Sequence, residues 1–389
     1  MKKSHAVLIF CLALGIFGII TTEMGMIGVL PQLAQKFGIS PAQAGLLISV
    51  FALTVAVAGP FVTLFASGLN RKTILLVSVL MFAVSNAVYA YTTNFEVMLL
   101  FRILPGIFHP VFFSIALATA AGLVPPEKSG QVVTRVMAGV TVGFAFGIPL
   151  TAYLGAYFSL EAAFGFGALV SAVSFFGLAV GLPNAPSTRR KSAGSQLGIL
   201  RLPQLRLTLL IVLLIFAAMS SVYSYFAEYL RDITHMNETW ISAMLMVFGI
   251  TMIAGNFLFG FFLNKSPMRT ATVLLLVYAA VYAAAYYGGA SIGLMAVIIF
   301  VWGAVHAGGL IIGQGLLIRD ASAAPEFGNS LFLSFSNIGI AAGTWIGGWF
   351  ISAWGTHQLV LSGVLALSFA FVLLILRISI FSSSSRQSN

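Results

Sequence analysis

The sequence predicts an all-α integral membrane protein with 12 transmembrane helices in two pseudo-symmetric six-helix bundles. Hydrophobic residues make up 60% of the 389 residues and charged residues only 7%, far below the roughly 25% charged residues of soluble domains. Twelve apolar segments have about the 20 residues that a helix needs to span a bilayer. A set of glycines in the first half also recurs in the second half at a constant offset.

The recurring glycines indicate an internal duplication. They lie in two apolar segments, each pair two hundred positions apart: Gly139 and Gly339, Gly143 and Gly343, Gly147 and Gly347, Gly155 and Gly355. Small residues four apart line one face of a helix and let two backbones approach closely within a membrane. Paired halves of this kind are typical of secondary transporters.

Pro, Gly, Asn and charged residues separate the predicted spans. In the first half the spans are 6–34, 41–66, 73–91, 97–122, 132–157 and 162–182. In the second half they are 207–230, 240–263, 270–288, 292–318, 329–354 and 358–380. The polar connection between them defines an N-terminal six-helix bundle (1–183), a cytoplasmic linker (184–206) and a C-terminal six-helix bundle (207–389).

The first span is too long for the apolar region of a signal peptide and has no cleavage motif after it, so we interpret it as a membrane helix. Sixteen of the nineteen Lys and Arg residues fall on one side of the predicted membrane, the exceptions being Lys36, Arg231 and Arg102. This bias predicts a multi-pass protein of the cytoplasmic (inner) membrane with both termini in the cytoplasm. It also accounts for the net charge of +10 without nucleic acid.

Glu23 is an acid within the first span, where an ionised carboxylate costs roughly 2.5 kcal/mol or more. We expect it to face the bundle interior and to be paired or protonated, which makes it a candidate proton carrier. Gly15, Gly18 and Gly25 lie on a different face of the helix. The alternative is a structural hydrogen bond to a neighbouring helix.

Arg102 lies in the outer part of the fourth span, with Gly106 and His109 on the same helix face. Pro105 and Pro110 interrupt the helical hydrogen bonds nearby. Because an arginine stays charged, Arg102 would influence a neighbouring acid rather than carry the proton itself. The alternative is that its side chain reaches toward the outer membrane surface.

Other polar groups in spans are candidates for binding a polar substrate, and for the two histidines among them the alternative is a hydrogen-bonded residue of the core. The candidates are His109, Asn86, Asn256, His306, Gln314 and Asn337, together with the aromatic residues Tyr223, Tyr225 and Phe226, for which an aromatic belt at the membrane interface is the default interpretation. Asp320 is interpreted first as a partner of the adjacent Arg319. Glu228 and Asp232, at the outer end of the seventh span, are expected to be hydrated.

The sequence contains no Walker loop, no HExxH motif and no paired cysteines, so we expect no catalytic residues, no metal and no cofactor. The energy for a transport reaction would then come from a gradient across the membrane. Moving one charge through 100 mV supplies about 2.3 kcal/mol.

Several segments resemble the major facilitator superfamily, and within it the bacterial drug/proton antiporter branch that includes sugar and nucleoside efflux permeases. The segment TTEMGMIGVLPQLAQKFGISPAQAGLLISVFAL is similar to the first two helices of that branch. GVTVGFAFGIPL, with Gly139, Gly143, Gly147 and Pro149, resembles its helix-five antiporter motif. Arg102 and Gly106 match its helix-four basic motif, and FSNIGIAAGTWIGG, with Asn337, resembles its helix eleven.

The resemblance implies the major facilitator fold, and it links Arg102 to proton transfer. It also implies a cytoplasmic gate loop at Asn70, Arg71 and Lys72, where Asn70 stands near the place of the family's usual acid.

These observations together predict proton-coupled efflux of small organic molecules of sugar, nucleoside or drug type by alternating access, with Glu23 and Arg102 in proton coupling. The expected partners are a small-molecule substrate, protons and the lipid bilayer, with no nucleic acid and with the chain as a monomer. A proton-coupled uptake symporter and an integral-membrane enzyme are the alternatives. A channel is disfavoured because no helix offers a ring of charge.

Overall fold

The computed structural model describes residues 3–66, 70–183, 197–322 and 325–382. In the first half, the helices are α1 (Lys3–Phe37), α2 (Pro41–Ala66), α3 (Arg71–Tyr91), α4 (Phe95–Gly122), α5 (Pro126–Val142), a π-helical segment (Gly143–Gly147), α6 (Ile148–Tyr157) and α7 (Leu160–Gly181).

In the second half, the helices are α8 (Pro203–Tyr223), α9 (Phe226–Asp232), α10 (Glu238–Lys265), α11 (Pro267–Gly288), α12 (Ile292–Asp320), α13 (Pro325–Trp354) and α14 (Leu359–Ser382). Short 3₁₀ helices at Leu197–Arg201 and Thr356–Gln358 precede α8 and α14. Most of the predicted linker, residues 184–196, lies outside the described residues.

Twelve helical stretches within the described ranges are long and apolar enough to cross a membrane, which confirms the predicted number of spans. Two of these spans are less regular than predicted. The fifth contains the π-helical segment, and the seventh is interrupted at Ser224 and Tyr225, so that α8 and α9 together form one span.

The π-helical segment has a local cause in Pro149. A proline ring has no N–H to bond to the carbonyl four residues earlier and clashes with it, so the preceding turn must adjust. Here the N–H of Ile148 bonds to the Gly143 carbonyl five residues back, which widens the turn. Such widened turns are frequent at functional sites, and this one lies within the predicted antiporter motif.

The predicted glycine face packs α5 and α6 directly against α1. A Cβ atom at Gly139 would overlap the backbone carbonyl oxygen of Ala13, and one at Gly147 would overlap the side chain of Thr21. Gly139 can be replaced by no larger residue at the observed helix separation, and a larger residue at Gly147 would require the Thr21 side chain to move. The small residues therefore set how closely the helices approach.

The second half repeats this packing between α13 and α8. A Cβ atom at Gly339 would overlap the carbonyl oxygen of Leu213, and one at Gly347 would overlap that of Ser221. The positions contacted in α8 are again two hundred residues after those contacted in α1. The duplication therefore extends from matching glycines to a matching pair of helix contacts.

The fourth glycine pair differs between the halves. Gly155 packs within α6, where a Cβ atom would lie 2.7 Å from Cγ1 of Val29. Gly355 instead follows the end of α13 with φ of +88° and has open space around its Cα. Gly355 ends the helix through a backbone conformation that favours glycine. Gly155 and Gly355 therefore occupy corresponding positions of the two halves but do not have the same packing role.

We expect Gly343→Ala to destabilise the protein by about 1–3 kcal/mol, because the added methyl group would overlap the backbone of Ala217 in α8. The matched control is Gly165→Ala in α7, where nothing lies within 4 Å of the new methyl group. That change should be neutral or stabilise by up to about 1 kcal/mol, because alanine favours helix. Thermal unfolding of the two purified variants tests this, and equal stabilities would contradict it.

The contacts divide the chain into two compact units. The first consists of residues 1–39, 57–190 and 238–249, and the second of residues 40–56, 191–237 and 250–389. The N-terminal part of α2 thus groups with the second unit, where the Ser49 hydroxyl donates to the Ala341 carbonyl at 3.2 Å. The domain boundaries at residues 183 and 207 stay a prediction.

Candidate functional site

Two predicted residues meet in the first unit. Glu23 of α1 is 6% exposed, and its Oε2 atom lies 3.1 Å from Nε2 of His109 in α4. The imidazole also packs on Phe113, with 4.7 Å between ring centroids. The acid therefore faces protein, as expected, and its partner is a histidine that the sequence suggested only as a substrate ligand.

Arg102 lies beside this pair and is 0% exposed. Its guanidinium donates to two backbone carbonyls of α1, from Nη1 to Thr22 at 3.1 Å and from Nη2 to Glu23 at 3.3 Å. The carbon of the guanidinium lies 6.0 Å from the ring centroid of Tyr89. The alternative in which Arg102 reaches toward the membrane surface is wrong, because the side chain is enclosed between helices.

Asn86 of α3 links α3 to α1 through a hydrogen bond. Its Nδ2 atom donates to the Thr22 hydroxyl at 2.7 Å and to the Phe82 carbonyl at 2.9 Å, and Thr22 in turn donates to the Gly18 carbonyl at 2.8 Å. These bonds position the part of α1 that carries Glu23. Asn86 is thus engaged in joining helices, and its predicted role as a substrate ligand stays a prediction.

Sequence reasoning missed Tyr89, which completes this group. Its hydroxyl donates to the Phe101 carbonyl at 2.7 Å, and its ring packs on Phe164 at 5.4 Å. A usable signal was its spacing, since Tyr89 follows Asn86 by three residues and shares its helix face.

The charges of this group allow it to hold one additional proton. With Glu23 ionised and His109 neutral, the carboxylate and the Arg102 guanidinium sum to zero. A proton added to Glu23 or His109, whose Oε2 and Nε2 atoms lie 3.1 Å apart, raises the total to +1. A membrane-embedded acid is a common member of proton relays.

In the second unit, the predicted residues His306 and Tyr223 lie in a packed aromatic cluster. The Tyr278 hydroxyl lies 2.7 Å from Nδ1 of His306 and accepts a bond from Nε1 of Trp302 at 3.3 Å. The Tyr223 and His306 rings are 4.9 Å apart, and Phe226 packs edge-on against Trp302 at 5.0 Å. All five side chains are buried, so these residues form a core.

Tyr225 marks the break between α8 and α9. Its hydroxyl donates to the Thr344 carbonyl of α13 at 2.9 Å, and Ser224 bonds to the Thr344 hydroxyl at 2.7 Å. Tyr223, Tyr225 and Phe226 are all buried. The default interpretation as an aromatic belt is therefore wrong, because the rings point into the unit.

The other predicted substrate residues lie on separate helices of the second unit. Asn256 in α10 is half-buried, Gln314 in α12 is exposed, and Asn337 in α13 is buried. Asn337 donates from Nδ2 to the Leu333 carbonyl at 2.9 Å, while its Oδ1 atom is buried without a hydrogen-bond partner. Their role in substrate binding stays a prediction.

At the predicted gate loop, Asn70 has a local role. Its side chain accepts a hydrogen bond from the backbone N–H of Lys72 at 2.9 Å and so caps the start of α3. Asparagine is among the preferred residues for this position. Residues 67–69 of the loop lie outside the described residues, and gating by Asn70, Arg71 and Lys72 stays a prediction.

Asp320 pairs with Arg377 of α14 rather than with the neighbouring Arg319, which corrects the predicted pair. Its Oδ1 atom lies 2.8 Å from Nη2 of Arg377 and accepts from Nε2 of Gln204 at 2.7 Å. Its Oδ2 atom accepts from the Thr208 hydroxyl at 2.5 Å. Both charged side chains are about 5% exposed, so this is a buried ion pair that joins three helices.

No three His, Cys, Asp or Glu side chains among the described residues are placed so that they could hold a metal ion.

Known proteins share this architecture. The Major Facilitator Superfamily profile matches residues 12–326. The chain is similar to the inner membrane transport protein YdhP of Escherichia coli (strain K12), with 31% identity over 353 residues that cover 91% of this chain and 90% of that protein. It is also similar to a probable sugar efflux transporter of Pasteurella multocida (strain Pm70), with 28% identity over 391 residues that cover 96% and 92% of the two chains.

Among solved structures, the chain resembles a bacterial homologue of the human lysosomal transporter Spinster, with a TM-score of 0.82, 17% identity and 98% coverage of both chains. This likeness concerns the fold. Together with the profile match along most of the sequence, the twelve spans and the repeated helix packing, it leads to one assignment: the chain belongs to the Major Facilitator Superfamily of multi-pass membrane transporters.

Proposed function

We propose that this transporter exports small organic molecules in exchange for protons. The observation that carries the proposal is the buried group of Glu23, His109 and Arg102, which can accommodate one extra proton in the interior of a membrane-embedded unit. Energy from an inward proton gradient would then drive the substrate outward.

The direction of transport is supported by similarity to a protein named as a probable sugar efflux transporter and by the resemblance of the Gly139 to Pro149 segment to an antiporter motif. The proposed substrates are small molecules that carry little charge, because few charged side chains lie within the spans. Sugars, nucleosides and drug-like compounds all meet this description. Asn256, Gln314 and Asn337 are the proposed polar contacts.

In the proposed cycle, the site alternates between the two membrane faces through movement of two six-helix bundles. A proton from the outer side binds the Glu23 and His109 pair and leaves toward the cytoplasm, and one substrate molecule moves outward. The chain would act as a monomer in the inner membrane, with both termini in the cytoplasm.

The experiment uses purified protein in proteoliposomes of determined orientation. Thermal-shift screening against sugars, nucleosides and antibiotics first identifies a ligand. A proton gradient directed from the outer to the cytoplasmic face is then imposed on vesicles with that labelled ligand on both sides. We expect net movement of the ligand against the direction of proton flow. Movement with the protons would establish the uptake symporter, and no response to the gradient would remove proton coupling.

A further inference from the structure

Glu228, an acid in the second unit, is buried although its position in the sequence does not suggest burial. Glu228 lies in α9, near the outer end of its span, where we expected a hydrated side chain. The residue is 4% exposed. Its Oε2 atom is enclosed and has no hydrogen-bond partner. An ionised carboxylate in such a place is costly unless it is paired.

The nearest cation does not provide adequate pairing. Nη2 of Arg231 lies 3.7 Å from Oε1 of Glu228, beyond a good hydrogen bond. The Nε atom of Arg231 donates instead to Oδ1 of Asp232 at 3.0 Å, and the Arg231 side chain is 40% exposed. If both acids were ionised, the three side chains would carry a net charge of −1. One proton on Glu228 makes the group neutral.

The neighbouring elements supply no further cation. The segments that pack around this end of the unit contain no Lys, Arg, Asp or Glu: residues 40–56 of α2, 328–354 of α13 and 276–288 of α11. The other ionisable groups nearby are Tyr225 and Tyr229 of the same span, Tyr286 of α11, His357, which contacts the Tyr286 carbonyl at 2.9 Å, and the exposed His235.

The helix that carries Glu228 is anchored on both sides. Tyr225 bonds to the Thr344 carbonyl at 2.9 Å, and the Tyr229 hydroxyl donates to the Ala285 carbonyl of α11 at 2.8 Å. These bonds hold α9 with the carboxyl group directed inward. The acid is therefore carried by a short helix that two neighbouring helices hold in place.

We propose that Glu228 is a second proton-binding site and that it holds a proton, as the neutral carboxylic acid, in the conformation described. Docking of α9 is then linked to the protonation of Glu228. The site is separate from Glu23 and does not depend on the proposed direction of transport.

Infrared spectroscopy of the purified full-length protein tests the proposal, because the carbonyl stretch of a neutral carboxylic acid is resolved from that of a carboxylate. We expect a neutral-acid band at neutral pH that is lost in Glu228→Gln and retained in Asp232→Asn. The band should be the same in sodium and potassium buffers, because the proposal assigns a proton and not a metal cation to Glu228. Its retention in Glu228→Gln, or its loss on adding sodium, would overturn the proposal.

Thermal stability gives a second measurement. Because glutamine mimics the neutral acid, Glu228→Gln should keep Tm within about 2 °C of the wild type near pH 6. The wild type should lose Tm as pH rises from about 6 toward about 9, because the folded state keeps a proton on Glu228 that the unfolded state has already released, and Glu228→Gln should lose less. If Glu228 is instead an ionised partner of Arg231, both Glu228→Gln and Arg231→Met would lower Tm by several degrees near pH 6.

The two proton sites can be separated. Glu23→Gln should remove proton-driven transport while leaving the Glu228 band in place. Failure of the Glu23 proposal would therefore leave the Glu228 result unaffected, and the reverse also holds.

Discussion

Glu23→Gln is expected to reduce uphill export to the level of protein-free vesicles. Glutamine keeps the size of the side chain and can still bond to His109, but it cannot release a proton, so the buried group loses its acid. Ligand binding, measured by thermal shift, should remain within about threefold of the wild type, because the carboxyl group is proposed to move the proton rather than to hold the ligand. The measurement is gradient-driven transport in proteoliposomes.

The matched control is Glu96→Gln, which removes an exposed acid from the first turn of α4. This variant should transport at the wild-type rate. Unchanged uphill transport by Glu23→Gln would remove Glu23 from the mechanism. Loss of both binding and transport would instead assign Glu23 to the structure or to ligand binding, with Asn86, Thr22 and Arg102 as the supporting contacts.

Asp320→Ala is expected to have the largest effect on stability, with a loss of about 3–5 kcal/mol in the free energy of unfolding. The change leaves the Arg377 guanidinium buried without its carboxylate and removes the acceptor of Gln204 and Thr208. Breaking a buried ion pair on one side costs more than the pair itself contributes, because the remaining charge has lost its hydration. Thermal or denaturant unfolding in detergent measures the loss.

Two controls separate this effect from a general loss of charge. Asp232→Ala removes an acid whose pair with Arg231 is partly exposed, with side chains 34% and 40% accessible, and should cost no more than about 1 kcal/mol. The double variant Asp320→Leu with Arg377→Met should recover much of the stability lost in Asp320→Ala, since neither charge then remains buried. If the double variant is as unstable as the single variant, packing rather than charge explains the loss.

The predicted fold agrees with the structure because its main features are local or repeated. Length and apolar composition define each span without reference to the others. The glycine pairs indicated close packing on one helix face, and the structure shows which faces meet, α5 and α6 on α1 and α13 on α8. The π-helical segment before Pro149 was not predicted, because this proline was interpreted only as part of the antiporter motif.

The candidate site was predicted less completely. Glu23 was identified because a lone acid in an apolar span needs an interior partner. The identity of that partner depends on the rotation of α1 and α4 about their axes, which the sequence of either helix does not specify. For the same reason Asp320 was assigned to Arg319, although adjacent residues on a helix point in different directions, and its partner is the distant Arg377.

The sequence alone determined that this chain is a duplicated, twelve-span membrane protein, because apolar length, charge bias and repeated small residues act along the chain. Only the tertiary structure decided which polar side chains are buried together. Glu228 shows the difference: its sequence position near a loop suggests hydration, but it is only 4% exposed, and the hydroxyls of Tyr225 and Tyr229 hold this part of the span on α13 and α11. Burial of a charge depends on all elements packed around it, and those come from distant parts of the sequence.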